Sequence, residues 1–143
     1  MGLKVTILTS DDRRSTEEII RKMGLEDLVA ASVCGDDGFP GKPDPRGIMH
    51  ICDTVGVEPG ECWMVGDTGA DTGVAAEGGL AASVGVLSGV SSEESHFKPS
   101  PTFVADTVAS VPDMVQAYNE RVYEIAALED EGSTARRPRS PSM

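Results

Sequence analysis

The sequence is poor in aromatic and basic residues. Of its 143 residues, only three Phe, two Tyr and one Trp are aromatic. About one domain can be built from a chain of this length, and its core has to be aliphatic. Twelve basic against 24 acidic residues give a formal net charge of −12. Because an acidic surface repels phosphate backbones and anionic lipids, we expect no nucleic-acid and no membrane partner, and divalent cations are favoured instead.

Long apolar runs and cysteine pairs are also missing. No stretch approaches the roughly 18 apolar residues of a membrane span. Cys34, Cys52 and Cys62 are odd in number and form no Cys-x-x-Cys pair, which excludes a disulfide scaffold and a zinc ribbon. We therefore expect reduced, mostly buried thiols and a cytoplasmic protein.

The sequence does contain a regular alternation of short apolar runs and helical patterns, which predicts an α/β fold with a parallel sheet and flanking helices. Strands are predicted over residues 4–9, 29–34, 61–65, 82–87 and 102–105, and helices over 13–23, 45–55, 70–77 and 112–130. From Gly132 onwards Ser, Pro and Arg predominate. We therefore predict an α/β domain over 1–131 and a disordered tail over 132–143.

Three polar clusters fall at strand ends or in loops. Thr9 and Ser10 follow the first strand, Lys42 lies in the loop before the second helix, and Asp67 and Asp71 follow the third strand. In an open α/β sheet, ligands bind beyond the carboxyl ends of the strands. The three clusters are therefore expected at one edge of the sheet.

Each cluster fits one part of a phosphoryl-transfer site. Hydroxyls and backbone N–H groups at a strand-to-helix turn, here Thr9 and Ser10, can bind phosphate oxygens. The ammonium of Lys42 offsets negative charge. Asp67 and Asp71, four residues apart, supply the hard oxygen ligands that Mg²⁺ prefers.

Each cluster also has an ordinary structural explanation. Thr9 and Ser10 are typical of a helix N-cap, and Lys42 alone is typical of a solvated surface lysine. Asp67 and Asp71 could cap and charge the first turn of a helix. The order of hydroxyl, lysine and paired aspartates is more specific than any one of them.

With their neighbours, these residues resemble the carboxyl-terminal part of a haloacid dehalogenase superfamily phosphatase, in the style of the phosphoglycolate-phosphatase group. Residues 3–10 (LKVTILTS) are similar to the family's second motif. Residues 41–45 (GKPDP) resemble the third motif, and residues 64–71 (MVGDTGAD) resemble the fourth. The resemblance covers about residues 2–118, and the motifs occur in family order.

The resemblance implies a Rossmann-like core and Mg²⁺-dependent hydrolysis of a small phosphorylated metabolite through an aspartyl-phosphate. It implies that Thr9, with Ser10 beside it, binds the transferring phosphoryl group. Lys42 would stabilise the charge of that group and of the nucleophile. Asp67 would ligate Mg²⁺, and Asp71 would ligate or orient the metal shell.

The 143 residues depart from the family in lacking its first motif, an apolar strand followed by Asp-x-Asp, and its cap domain. That motif supplies the nucleophile, so we expect the chain alone to be inactive. In the family its strand lies between the second- and fourth-motif strands. Residues 5–8 and 62–65 must therefore either pair with each other or leave open strand edges.

A second hypothesis is a non-catalytic module that binds phosphate or metal or has a regulatory role. It would pair with a partner chain, or with a second copy in a homo-oligomer, that supplies the strand. The sequence leaves open the substrate and the choice between a gene-model fragment, a split protein and a decayed paralogue.

Overall fold

The computed structural model describes residues 2–133, and the side chains of residues 2–130. The chain forms two compact units, the first ending at Thr107 and the second beginning at Val108. Residues 134–143 of the predicted tail lie outside the described residues. In the part of the chain that is described, no helix has the length and apolar character needed to cross a membrane.

The predicted strands and helices are present, with ends that differ by a few residues at most. The first unit comprises β1 (Val5–Leu8), α1 (Arg13–Lys22), β2 (Val29–Val33), α2 (Arg46–Val55), β3 (Trp63–Gly66), α3 (Gly69–Gly78), β4 (Ala82–Val86) and β5 (Phe103–Ala105). Short 3-10 turns cover Pro59–Glu61 and Glu94–His96, and a third covers Val108–Ser110 in the second unit. The second unit is otherwise described by α4 (Val111–Ser133). The predicted α/β fold class is confirmed.

The strands form two parallel sheets. β1 pairs with β2, and β3, β4 and β5 pair in that order. Within the described residues no strand pairing joins β1 to β3, so each has one open edge. β4, paired on both sides, is buried throughout, whereas Val5 in β1 is 55% exposed. Of the two expected arrangements, open strand edges are the one observed.

β1 and β3 run in the same direction, as contacts at their two ends indicate. At the amino ends, Lys4 donates to the Val55 carbonyl at the end of α2, and the Cys62 sulfur lies 3.6 Å from that of Cys52 in α2. At the carboxyl ends, Lys42, in the loop before α2, contacts Leu8, the last residue of β1, and Asp71, near the start of α3. The two sheets are therefore oriented like the halves of one parallel sheet, with the gap between β1 and β3.

An aliphatic core spans both sheets on the side of α2 and α3. It consists of Val33, Ile48, Ile51, Cys52, Met64, Val74 and Ala75, with Leu8, Phe39, Val57, Cys62 and Leu80 packed against it. The apolar positions of α2 recur at helical spacing, which turns one face of that helix to the sheets. The cysteines are free thiols, as expected.

α1 covers less of its sheet than its sequence indicates. Helical spacing predicts that Ile19, Ile20 and Met23 point inward, but only Ile20 is buried, together with Thr16. Ile19 is 53% and Met23 is 66% exposed. Thr16 and Ile20 are four residues apart, so the buried part of α1 is one narrow row of side chains.

Candidate functional site

Thr9 and Ser10 lie where β1 ends and the chain turns into α1. The Thr9 amide donates to the Val33 carbonyl, which continues the strand pairing by one residue. The residue that caps α1 is Asp12, whose carboxylate accepts from the Ser15 amide at 2.8 Å. The alternative that Thr9 or Ser10 is the helix N-cap is therefore wrong.

Lys42 is held between the two sheets. Its ammonium lies 2.6 Å from Oδ1 of Asp71 and 3.5 Å from the carbonyl of Leu8. The side chain is only 15% exposed, so the alternative of a solvated surface lysine is wrong. Lys42 thereby links the end of β1, next to Thr9, to the beginning of α3.

A cavity of about 150 Å³ lies beside Lys42 at the carboxyl end of β1. Its lining residues are Leu8, Thr9, Ser10, Val33, Cys34, Gly35, Phe39, Pro40, Gly41 and Lys42. The predicted phosphate-binding residues Thr9, Ser10 and Lys42 thus share one cavity, while the aspartates do not line it. Hydroxyls and an ammonium around a small cavity suit an oxyanion.

Asp71 is buried, with 4% of its surface exposed. Its Oδ1 pairs with Lys42, and its Oδ2 accepts from the amide of Thr68 at 3.1 Å and from the Thr68 hydroxyl at 3.0 Å. Thr68 and Asp71 form the capping box of α3. A Cβ at Gly66 would lie 2.1 Å from Oδ2, so glycine provides the space for this carboxylate. Asp71 is therefore both a helix cap and the partner of Lys42.

Asp67 has one carboxylate oxygen engaged and one available. Its Oδ2 accepts from the Val90 amide at 2.9 Å, and its backbone carbonyl accepts from the Ser91 amide at 3.2 Å. Oδ1 accepts no hydrogen bond from any described residue. Asp67 is thus the carboxylate of the pair that has an oxygen free for a cation.

The donor set at this edge fits Mg²⁺ but not a metal held by protein alone. No group of three or more His, Cys, Asp or Glu side chains suited to a metal occurs among the described residues. Mg²⁺ is usually bound through one or two carboxylates, with waters and substrate phosphate completing its shell. Asp67 can supply one such carboxylate through Oδ1, whereas both oxygens of Asp71 are engaged with Lys42 and Thr68.

Two contacts that support the site could not be identified from the sequence. One is the loop after β4, where Gly89, Val90 and Ser91 contact Asp67. Its only sequence signal is a glycine in a run of small residues. The other is Asp37, which accepts from the amide of cavity-lining Cys34 at 2.7 Å.

An ion pair fixes Asp37 in place. Arg13 Nε donates to Asp37 Oδ1 at 2.9 Å, and a second guanidinium nitrogen donates to Oδ2. These hydrogen bonds from Arg13, followed by that from the Cys34 amide, lower the pKa of Asp37 to about 2. The carboxylate is therefore ionised at neutral pH and holds the turn that lines the cavity.

The chain is similar to hydrolases and phosphatases along most of its length. A sequence model of the haloacid dehalogenase-like hydrolases matches residues 1–79. N-acylneuraminate-9-phosphatase of Rattus norvegicus is 32% identical over 123 residues, which are 84% of this chain and 48% of that protein. Phosphoglycolate phosphatase of Vibrio vulnificus (strain YJ016) is 30% identical over 115 residues, 80% of this chain and 50% of that protein.

The fold is also that of solved structures. A haloacid dehalogenase-like hydrolase from Bacteroides fragilis superposes with a TM-score of 0.71 and 26% identity, covering 77% of this chain and 52% of that one. The chain therefore spans about half the length of the relatives it matches.

Proposed function

The chain belongs to the haloacid dehalogenase-like hydrolase family, and from this premise we propose that its first unit carries the phosphate- and metal-binding part of a phosphatase site for small phosphorylated metabolites. One observation carries the proposal. The ammonium of Lys42 contacts Leu8, next to Thr9, and Asp71, so that a hydroxyl, a lysine and an aspartate from separate segments meet at one edge of the sheets.

In the proposed site Thr9, Ser10 and Lys42 bind the phosphoryl group. The hydroxyls of Thr9 and Ser10 donate hydrogen bonds to the phosphoryl oxygens from one side of the cavity. Lys42 places a positive charge beside them, and Asp71 holds that ammonium in position. A pre-arranged charge of this kind stabilises a phosphoryl group without rearranging when the ligand binds.

Asp67, with its free Oδ1, is the residue that would ligate Mg²⁺, and Asp71, whose two oxygens are engaged, would orient the metal shell. When bound, the ion would neutralise charge on the phosphoryl oxygens. The remaining chemistry needs a nucleophile, and the 143 residues contain no Asp-x-Asp after an apolar strand. We therefore propose that this polypeptide binds phosphate and metal but does not turn substrate over by itself.

Binding and turnover are tested separately. Adding orthophosphate with Mg²⁺ should shift the amide NMR signals of Thr9 and Ser10, and Lys42→Met should abolish the shifts. Lys22→Met, which removes an exposed lysine from the helix α1, should leave them unchanged. Robust hydrolysis of p-nitrophenyl phosphate that is lost in Asp67→Ala would contradict the proposed inactivity.

A second candidate function is that of a binding module completed by a strand from another polypeptide. The open edges of β1 and β3 favour it, because two parallel strands with unpaired edges can take up a parallel strand between them. Val5 in β1 and Leu3 before it have exposed apolar side chains, which also favours an additional strand next to β1. A short strand that is apolar on both faces would match this environment.

This second candidate is tested by the mass and the strand-edge exposure of the purified chain. Light scattering should give a dimer, or a defined complex with the strand-bearing partner. Hydrogen exchange of amides in β1 and β3 should then slow. The outer edge of β2, which has no partner strand among the described residues, serves as the control and should exchange at an unchanged rate. A chain that stays monomeric and forms no complex, with β1 and β3 unprotected, would count against it.

A further inference from the structure

The loop that follows β4 makes two backbone hydrogen bonds to Asp67. The Val90 amide donates to Oδ2 at 2.9 Å, and the Ser91 amide donates to the Asp67 carbonyl at 3.2 Å. The Val90 side chain itself is exposed, at 81%. The contribution of Val90 to Asp67 is therefore that of its backbone N–H.

Gly89 lies so close to Asp67 that any side chain at this position would force the loop or the carboxylate to shift. A Cβ at Gly89 would lie 2.2 Å from Oδ2 of Asp67, 2.5 Å from its Cβ and 2.7 Å from its Cγ. Contacts under 3.0 Å require something to move. The reason for glycine here is close approach of the loop to a carboxylate, since the backbone of Gly89 is not in the left-handed region.

The same loop is anchored in the sheet further along. Phe97 is 2% exposed, and its ring lies over Gly85 of β4, where a Cβ would meet Phe97 Cζ at 2.8 Å. Ser91 is 6% exposed. Because Ser91 and Phe97 are both buried, the position of the loop is restricted, and its contact with Asp67 is fixed.

We propose that Gly89 and the Val90 amide are positioning elements that orient the Asp67 carboxylate towards Mg²⁺. The inference rests on the metal site of the proposed function and deepens it. The terminal torsion of an aspartate side chain has a broad energy profile, so a carboxylate without a fixed partner samples many orientations. Binding Oδ2 to the loop leaves Oδ1 as the oxygen that faces a cation.

Removing the support should weaken metal binding without unfolding the chain. Hydrogen-bond partners behind a metal ligand typically contribute 10- to 100-fold in metal affinity. In Gly89→Ala the added methyl group pushes the loop away from Asp67. We expect roughly tenfold weaker binding in this variant, the lower end of that range, because the carboxylate itself remains.

Metal affinity is measured by titration with Mn²⁺, followed by electron paramagnetic resonance, and by competition with Mg²⁺. Gly60→Ala is the matched control, because a Cβ there has no atom of the described residues within 4 Å. It should bind Mn²⁺ like the wild type. Val90→Pro provides a second variant that removes the amide donor and keeps Gly89. Urea unfolding of each variant separates loss of positioning from loss of the fold.

The outcomes separate the positioning role of Gly89 and Val90 from the existence of a metal site at Asp67. Tenfold weaker Mn²⁺ binding with an unchanged unfolding midpoint supports positioning by Gly89. If Gly89→Ala and Val90→Pro bind Mn²⁺ as tightly as the wild type while Asp67→Asn does not, the inference is overturned and the metal site stands. If Asp67→Asn also binds as tightly as the wild type, the proposed metal site fails and the inference fails with it.

Discussion

Replacing Asp71 by asparagine would leave the ammonium of Lys42 buried without its charged partner. The two side chains are 6% and 15% exposed, and their charged atoms lie 2.6 Å apart. At an effective dielectric constant of ~20, two unit charges at that distance attract by about 6 kcal/mol, part of which offsets the desolvation of both groups. Breaking such a buried pair from one side typically costs about 3–5 kcal/mol.

We therefore expect Asp71→Asn to lower the free energy of unfolding by about 3 kcal/mol, near the lower end because asparagine can still accept from Thr68. Lys42→Met should lower the free energy of unfolding by a similar amount, because it leaves the Asp71 carboxylate buried without a charged partner. The double variant has no unpaired charge, so its loss in free energy of unfolding should be smaller than the sum of the two single losses. The expected coupling is at least ~1.5 kcal/mol.

The assay is urea unfolding, followed by circular dichroism and by the fluorescence of Trp63, the one tryptophan of the sequence. Lys22→Met is the control, because the Lys22–Glu18 pair is 69% and 48% exposed and should contribute less than about 0.5 kcal/mol. If the losses of Asp71→Asn and Lys42→Met add within ~0.5 kcal/mol, the two groups do not act as a buried pair and the reasoning is refuted.

Three further perturbations follow from the structure. Since Arg13 holds the pKa of Asp37 at about 2 against an ordinary 3.8, the ionised form stabilises the fold above pH 3.8, and this contribution is lost as the pH falls towards 2. Asp37→Asn should thus be destabilising at pH 7 and neutral near pH 2 in acid titrations; an equal effect at both would contradict this. Phe97→Ala should cost about 3–5 kcal/mol in urea unfolding, because the ring is 2% exposed; a cost below ~1 kcal/mol would mean that the loop is not anchored there. Gly35→Ala brings a methyl group within 2.1 Å of the Ser10 carbonyl and should abolish the phosphate-induced NMR shift of Ser10; an unchanged shift would argue against a phosphate site at this turn.

Local sequence signals were sufficient for the order of strands and helices. Apolar runs such as that in β1 predict strands within a residue or two, because a short apolar run between turn signals is a local feature of the sequence. The same signals placed Thr9, Lys42 and Asp71 near one another, since loops at the carboxyl ends of parallel strands gather at one edge. In the structure Lys42 contacts Asp71 and the carbonyl of Leu8, the neighbour of Thr9.

The exact partners of these residues could not be predicted in this way. Whether Asp71 meets a metal or a lysine depends on where a segment 29 residues away passes, and the structure shows that Lys42 reaches it. The contact between Asp67 and Val90 joins positions 23 residues apart through a backbone amide, which any residue but proline could supply. No side-chain pattern marks such a contact.

By itself, the sequence determined an acidic α/β domain with an aliphatic core and three polar clusters at strand ends, because alternation and spacing act over a few residues. Only the tertiary structure decided that, within the described residues, β1 and β3 do not pair with each other, that Lys42 is buried against Asp71, and that the loop at Gly89 lies against Asp67. Each of these depends on how distant segments approach one another. Such approaches are set by the packing of the whole unit, which α2 and its core residues hold together across the two sheets.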